Sequence, residues 1–371
     1  MADGGRAGWL AVRARLRERR WELGVAAGRE YPQWTVVGGT PLLSRPEWLP
    51  ATPLPVPDIA LEYRDDAGFA GVTGAEAVAA RVLPERPGGG RYPRYSAAVA
   101  ELAAPRLFED RPTYRLLHAD LGVAPRLVFG AGSYFDGVDV GEACAHEFAA
   151  ATLDPGRPAG DLPLRRAVGD PCDPGRRRIN VAVSTLTLRH DRAAGTSTFL
   201  LHRRDAAAVG HAGGMFQVLP VGIFQPSGTG PDDVRNDFSL WRGMLREFAE
   251  ELLGEPEIAG RDGAPVDYDG WPLAARLTAA LGTGRARAHC LGIGVDPLTL
   301  ATDILTTVVI DAPSYDELFG RLASDNDEGT ILPAVPFEAD QIDRYARREP
   351  TQAAGAALLA LAWTHRHSLL R

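Results

Sequence analysis

Three glutamates lie close together in the stretch LREFAEELLG, residues 245–254. Glu247, Glu250 and Glu251 are separated by three and four positions, so they share one face if the stretch is helical. Like charges at that spacing repel one another unless a cation lies among them. Carboxylate oxygens are ligands that Mg²⁺ and Mn²⁺ prefer. The spacing predicts a divalent-metal site, and a solvated acidic helix face is the alternative that charge alone favours.

The residues around the glutamates predict the helix that must position them. Asp237 or Ser239 can cap its start, and Gly254 can end it, with Pro256 just beyond. Apolar residues recur at helical spacing and should face a core. They are Leu240, Trp241, Met244, Leu245, Phe248 and Leu252.

The order of a strand, a Pro-x-Gly loop and this helix resembles the Nudix hydrolase superfamily. The box of that family reads G-x5-E-x7-R-E-U-x-E-E-x-G-U, where U is a bulky aliphatic residue. The stretch from Arg246 to Glu251, REFAEE, falls in step with R-E-U-x-E-E. LPVGIF, residues 219–224, stands where the family has its Pro-Gly-Gly loop, and Gly222 can be the first glycine of the box. The resemblance covers roughly residues 175–365.

The sequence departs from the box at three places. Arg246 follows Gly222 by 24 positions instead of 14, which places an insertion of about ten residues at SGTGPDDVRND. Phe238 stands where the box has its first glutamate, and Asp237, or Asp232 with Asp233, could substitute for it. The final glycine, Gly254, comes one position late.

The resemblance implies a set of metal ligands. Glu250 and Glu251 would hold Mg²⁺ or Mn²⁺, with Glu247 as a further ligand or as the base that activates water. Arg246 would be structural and would orient a glutamate through a bidentate pair. Glu328, in the stretch SDNDEG, would be the additional metal ligand from a distant loop.

The resemblance also implies a reaction and a substrate class. The metal would neutralise a diphosphate and activate water, which gives phosphoanhydride hydrolysis of a nucleoside diphosphate linked to another moiety. Arg203 and Arg204 could hold a phosphate, although surface ion pairing is equally consistent with them. Phe216 could stack on a base, and a core position is its alternative. Gly222 completes the predicted substrate-binding residues.

A second function is consistent with the same residues. The missing box glutamate and the insertion favour a non-catalytic Nudix-like domain that binds a nucleotide or nucleotide-sugar ligand as a sensor or regulator. The intact R-E-x-x-E-E favours the hydrolase. The region before residue 170 would cover the cleft or support a homodimer in the first case, and would be an output module in the second.

Composition and length predict the organisation of the chain. A length of 371 residues predicts about two domains, an N-terminal α+β region over residues 1–170 and a Nudix-like α/β/α sandwich over residues 171–371. The Pro-, Gly- and Arg-rich segment 153–178 is the predicted linker. Strands followed by a helix, then strands and a last helix, indicate the α+β class.

Charge and targeting signals narrow the partners. The net charge of −8 provides no overall basic field for nucleic acid and argues against it as a partner. All 40 basic residues are arginine, which excludes Schiff-base chemistry and a Walker lysine. Neither a membrane span nor a signal-peptide core is visible, so a cytoplasmic location is expected. Three scattered cysteines should be reduced and buried.

Glu142 and His146 are a weaker candidate for a functional site. They are four positions apart on a predicted helix and could bind a metal or act as an acid-base pair, and a polar helix face is the alternative.

Overall fold

The computed structural model describes residues 5–64, 68–153, 161–204, 214–260, 263–320, 325–326 and 329–371. Its helices are α1 (Arg6–Glu18), α2 (Arg20–Gly28), α3 (Tyr95–Leu102), α4 (Tyr134–Gly137), α5 (Ala143–Leu153), α6 (Pro163–Val168), α7 (Pro231–Asn236), α8 (Leu240–Glu247), α9 (Pro272–Gly282), α10 (Ala312–Phe319), α11 (Ala339–Asp343), α12 (Ala353–Thr364) and α13 (Arg366–Leu369). Single 3₁₀ turns lie at Val37–Gly39, Pro46–Trp48, Val56–Asp58 and Ala79–Val82, and π-helical turns at Val138–Glu142, Phe248–Leu252 and Arg344–Arg348.

The strands are β1 (Thr35–Val36), β2 (Leu43–Ser44), β3 (Leu54–Pro55), β4 (Ala60–Tyr63), β5 (Pro112–Asp120), β6 (Arg126–Ser133), β7 (Ile179–Asp191), β8 (Thr196–Arg204), β9 (Phe216–Val218), β10 (Val221–Ile223), β11 (Ala286–Val295), β12 (Thr302–Asp311), β13 (Asp325–Asn326) and β14 (Gly329–Pro336). Within the described ranges these helices and strands make a mixed architecture, which confirms the predicted α+β class.

Strand β7 is the centre of the sheet. It pairs in parallel with β12 along its length and antiparallel with β8 and β10. Its first residues also pair with β5, where Ile179 lies opposite Leu116. The main path of the sheet is β1-β2-β11-β12-β7-β5-β6-β4. Strands from both sides of residue 170 therefore share one sheet.

The two faces of β7 enter different hydrophobic clusters. Ile179, Val181 and Val183 pack into the larger cluster, together with the apolar side of α8. Leu186 and Leu188 pack into a second cluster, which contains most of α12. The sequence of α12, AAGAALLALAWT, is apolar on nearly every side, so this helix is suited to a buried position.

The segment predicted as a linker is packed in its described part. Leu164, Val168 and Cys172 have no exposed surface. Arg165 donates to the carbonyl oxygens of Cys144 and Pro297, the latter at 2.6 Å. The described part of the segment, residues 161–178, is therefore anchored in the core by its buried side chains and is not an extended connection. The three cysteines are free and buried, as predicted. Within the described residues no helix combines the length and apolarity needed to cross a bilayer.

Candidate functional site

The acidic stretch is helical, as its sequence predicts. The hydroxyl oxygen of Ser239 accepts the N–H of Arg242 at 3.4 Å and caps α8. After Glu247 the helix continues as the π-helical turn Phe248–Leu252, and it ends before Gly254, whose φ of 67° suits glycine. Five members of the predicted apolar stripe are buried, and Trp241 is partly buried. The buried five are Leu240, Met244, Leu245, Phe248 and Leu252.

The π-helical turn accounts for the late glycine of the box. A π turn closes i to i+5 hydrogen bonds, so it holds one more residue than an α turn. The extra residue lies within the acidic turn itself, between Glu247 and Leu253. Gly254 ends the helix one position later than the box has it, and the helix end is nonetheless intact.

Two of the glutamates contact strand β10. The N–H of Val221 donates to Oε2 of Glu251 at 3.1 Å. A Cβ placed on Gly222 would lie 1.9 Å from both Cδ and Oε1 of Glu247, so the carboxylate rests against the glycine backbone. Gly222 itself pairs with Val183 of β7. The acidic turn is thereby fixed to the central sheet through β10.

The third glutamate lies towards the N-terminal region. The charge of Glu250 contributes to the raised pKa of Arg111, whose main cause is its hydrogen bond with Glu257. Nη2 of Arg111 lies 2.6 Å from Oε1 of Glu257. All three helix glutamates are half-buried. A cationic side chain from before residue 170 therefore approaches one side of the acidic turn.

Arg246 is buried and forms an ion pair with an aspartate. Its side chain contacts Oδ2 of Asp237 at 3.0 Å and the Tyr268 hydroxyl at 3.2 Å, and it also donates to the Gln225 carbonyl. The Tyr268 hydroxyl donates to the other Asp237 oxygen at 2.8 Å. Asp237 has no exposed surface and accepts two further bonds from Ser227, both at 2.6 Å. The ion-pair partner of Arg246 is thus Asp237 and not one of the helix glutamates.

The remaining candidates for the missing box glutamate lie elsewhere. Phe238 packs against the rings of Tyr114 and Phe129 at 5.1 and 5.8 Å. Asp232 forms an exposed pair with Arg235. Asp233 accepts the Gly230 N–H at the start of α7. Of the three aspartates proposed as substitutes, Asp237 is the one that meets α8, and it does so through Arg246.

Comparisons with known proteins add little beyond this geometry. No family model matches the chain, and no curated protein matches it. Among solved structures, the chain is similar to a Nudix hydrolase from Alicyclobacillus acidocaldarius. The identity is 21%, the match covers 50% of this chain and 91% of the other, and the TM-score is 0.29. A TM-score this low does not establish a common fold, so the role of the acidic turn is inferred from its own contacts.

The predicted substrate-binding residues are divided between two places. Arg203 is exposed, and its guanidinium lies 6.0 Å from the centre of the Phe216 ring. Phe216 is 9% exposed and meets Tyr345 edge-on at 5.1 Å, which favours the core position that the sequence left open. Gly222 lies with the glutamates. The side chain of Arg204 and the whole of Glu328 fall outside the described residues.

The donor set suits Mg²⁺ bound together with a substrate. No group of three or more His, Cys, Asp or Glu side chains arranged to hold a metal occurs among the residues that the structure describes. Mg²⁺, however, commonly takes only one or two protein carboxylates and completes its shell with water and substrate phosphates. The half-buried carboxylates at Glu247, Glu250 and Glu251 have the chemistry that such binding needs.

Glu142 and His146 belong to a network that the sequence did not predict. Glu142 accepts from Arg13 at 3.2 Å and from Arg20 at 2.7 Å. Nδ1 of His146 lies 3.1 Å from the Tyr95 hydroxyl. Burial lowers the pKa of His146 to about 3, so the imidazole is neutral at physiological pH. These contacts join α1 and α2 to the π-helical turn Val138–Glu142, and α3 to α5. Of these contacts, only the pairing of Glu142 with arginines could be expected from the charges in the sequence.

Proposed function

We propose that the chain is a Nudix-type, Mg²⁺- or Mn²⁺-dependent hydrolase that cleaves the phosphoanhydride of a nucleoside diphosphate linked to another moiety. The observation that supports this most is the attachment of the acidic turn to β10, through Val221 and Gly222. A merely solvated acidic face would need neither contact. Two glutamates are instead held against β10, the strand that contains Gly222, which the resemblance makes the first glycine of the box.

The proposed roles follow from these positions. Glu250 and Glu251 would hold the metal, with Glu328 as an additional ligand; the metal when bound neutralises the diphosphate and lowers the pKa of the attacking water. The Val221 N–H orients Glu251, and Gly222 leaves room for Glu247, which is the proposed base. Arg246 is a positioning residue that acts through Asp237. Arg203 and Arg204 would bind a phosphate.

The substitution Glu251→Gln tests the proposal. Its amide oxygen can still accept the Val221 N–H, so the helix should remain in place while the charge is lost. We expect Mg²⁺-dependent cleavage of a panel of nucleoside diphosphate compounds, including ADP-ribose and nucleotide sugars, to fall about 100-fold or more. A metal contributes several kcal/mol to such a step, and each 1.36 kcal/mol is tenfold in rate.

Glu257→Gln is the matched control. Glu257 is 43% exposed, pairs with Arg111 and lies beyond the helix, so its substitution should leave the rate unchanged. Equal rates for wild type and Glu251→Gln, with unchanged thermal stability, would refute the role of the acidic turn.

One observation favours a ligand-binding sensor as the second candidate. Asp237 precedes Phe238, which occupies the position of the first box glutamate. The Asp237 carboxylate is fully buried, forms an ion pair with Arg246 and accepts hydrogen bonds from Tyr268 and Ser227. Thermal-shift measurements with the same panel, with and without Mg²⁺, separate the two functions. Stabilisation by an intact ligand without product formation supports the sensor, whereas metal-dependent stabilisation with product formation supports the hydrolase.

A further inference from the structure

A cavity of about 490 Å³ opens beside the turn that connects β7 to β8. Its apolar surface comes from Phe337, Trp363 and Leu370, and its cationic side chains are Arg366 and Arg371, with His367 beside them. The volume lies within the usual range for small-molecule sites, about 300–1,000 Å³. Among the described residues that line it, no side chain is acidic. The cavity thus combines an aromatic surface with cationic side chains.

Arg366 is held in place by the aromatic surface. Its guanidinium carbon lies 4.4 Å from the centre of the Trp363 ring, and Nη1 donates to the Trp363 carbonyl at 2.8 Å. Phe337 meets the same ring edge-on at 5.4 Å. A stacked guanidinium with one fixed hydrogen bond loses little further freedom when it binds an anion.

The positive charge of Arg366 is not balanced by a carboxylate. Within the described residues, the polar and ring contacts of the Arg366 side chain are those with Trp363. Arginines on the neighbouring π-helical turn behave differently: Arg344 pairs with Glu349, and both Arg347 and Arg348 pair with Asp343. A fixed, unbalanced cation on the wall of a cavity is suited to bind an anion.

The cavity lies far from the acidic turn. Glu247 rests on Gly222, which is paired with Val183, whereas the cavity lies beyond Asp191 at the other end of β7. Eight strand residues span about 26 Å at roughly 3.3 Å per residue. The two places cannot share one small ligand, and the cavity does not depend on the proposed function.

We propose that this cavity is a second binding site, which takes a planar aromatic ring that carries a phosphate or carboxylate group. The ring lies against Phe337, Trp363 and Leu370. The anionic group meets the guanidinium of Arg366, with Arg371 and His367 beside it. Both parts of the ligand contribute to binding. A ring without an anionic group would leave the charge of Arg366 unpaired, and an anion without a ring would leave the apolar surface exposed to water.

Isothermal titration of the full chain tests the proposal, without added metal. Phenyl phosphate and benzoate are the two probes, and they distinguish a phosphate from a carboxylate preference. Phenol supplies the ring without the charge, and inorganic phosphate supplies the charge without the ring. We expect saturable binding of at least one probe at one site per chain, with each partial compound at least about tenfold weaker.

Arg366→Gln and Arg348→Gln are the matched variants. Arg366→Gln should weaken the bound probe about tenfold or more, since a charge-assisted hydrogen bond is lost. Arg348 is 61% exposed and does not line the cavity, so Arg348→Gln should bind as wild type does. Glu251→Gln should also bind normally. The proposal is overturned if neither probe saturates, or if Arg366→Gln binds as tightly as wild type while its thermal stability is unchanged.

Discussion

Asp237 and Arg246 form an ion pair that is closed off from solvent, with 0% and 5% of their side chains exposed. Removal of one charge from such a pair leaves the other buried and uncompensated, which costs about 3–5 kcal/mol. We therefore expect Asp237→Asn to lower the free energy of unfolding by that amount, as measured by urea denaturation.

Asp232→Asn, five residues away, is the control. Its partner is Arg235, and both side chains are about 70% exposed. An exposed pair contributes about 0–1 kcal/mol, so this variant should unfold close to wild type. If Asp237→Asn and Asp232→Asn lower the free energy of unfolding by the same small amount, the buried pair does not hold the helix in place.

His146 gives a prediction for the dependence of stability on pH. Its folded pKa of about 3 lies below the ordinary 6.5, because burial disfavours the charged imidazolium. The unfolded chain therefore takes up a proton between pH 6.5 and 3 that the folded chain does not. Stability from this residue is present above that window and is lost as the pH falls, by at most about 1.4 kcal/mol per pH unit.

His146→Gln should reduce this loss. The amide oxygen can still accept the Tyr95 hydroxyl, and it does not titrate. Between pH 7 and 5 the variant should lose up to about 2 kcal/mol less stability than wild type, as measured by urea unfolding at each pH. An unchanged slope in His146→Gln would contradict the prediction.

At the scale of elements, the close approach of β10 to the acidic turn depends on the absence of a side chain. Gly222→Ala would place its Cβ 1.9 Å from the Glu247 carboxylate, so the Glu247 side chain must move away from β10. We expect loss of any metal-dependent activity, and a loss of about 1 kcal/mol in stability, at the low end of overpacking, because a flexible side chain moves more easily than backbone.

Gly24→Ala is the control for the Gly222 substitution. Gly24 lies within α2, and no atom would come within 4 Å of a Cβ there. Alanine should slightly stabilise that helix, since glycine is a poor helix former. Thermal unfolding of both variants measures the contrast, and a neutral Gly222→Ala would show that the carboxylate moves away without cost.

Much of the helix that carries the acidic turn was predictable from the sequence, because helical periodicity and the signals at helix ends are local. The apolar stripe and the Gly254 end were predicted, and Ser239 is one of the two caps that the sequence offered. The boundaries of the strands were harder to predict from the sequence. The stretch MFQVLPVGIFQP reads as one apolar segment, whereas the structure divides it into β9 and β10, which pair with β8 and β7 respectively.

Other elements were missed for physical reasons. Strand β14 contains Pro333, and its register with β8 shifts between Leu332 and Val335, so no clear alternation marks it. In the candidate site, the spacing of the box assigns its first glutamate to the position of Phe238. The carboxylate that pairs with Arg246 belongs to Asp237, one position earlier. The turn after α7 determines whether Asp237 or Phe238 faces Arg246, and the neighbouring sequence does not predict the conformation of that turn.

At the scale of the molecule, strands from the first 170 residues complete the sheet of the rest. β5 pairs with β7, and β2 and β3 pair with β11. The larger hydrophobic cluster likewise draws on both parts. A fragment of residues 171–371 would expose these strand edges and one side of its core, and open apolar edges favour aggregation.

We expect that fragment to lack a cooperative thermal transition in circular dichroism and to elute as aggregates in size-exclusion chromatography. The full chain should unfold in one transition. Addition of a separately produced 1–170 fragment should restore soluble material, if the two parts need only each other. A monomeric 171–371 fragment with a sharp transition would show instead that the sequence-based boundary separates independent domains.

The pairing of β2 with β11 also has a consequence for synthesis. Leu43 lies opposite Val295, so the partner of β2 leaves the ribosome about 250 residues later. At about 5–20 residues per second, the early strand waits roughly 10–50 s. β1, β2 and β3 are each two residues long and stand among prolines, so the nascent chain offers little edge for another chain to join. Their shortness protects the waiting segment until its partner strand arrives.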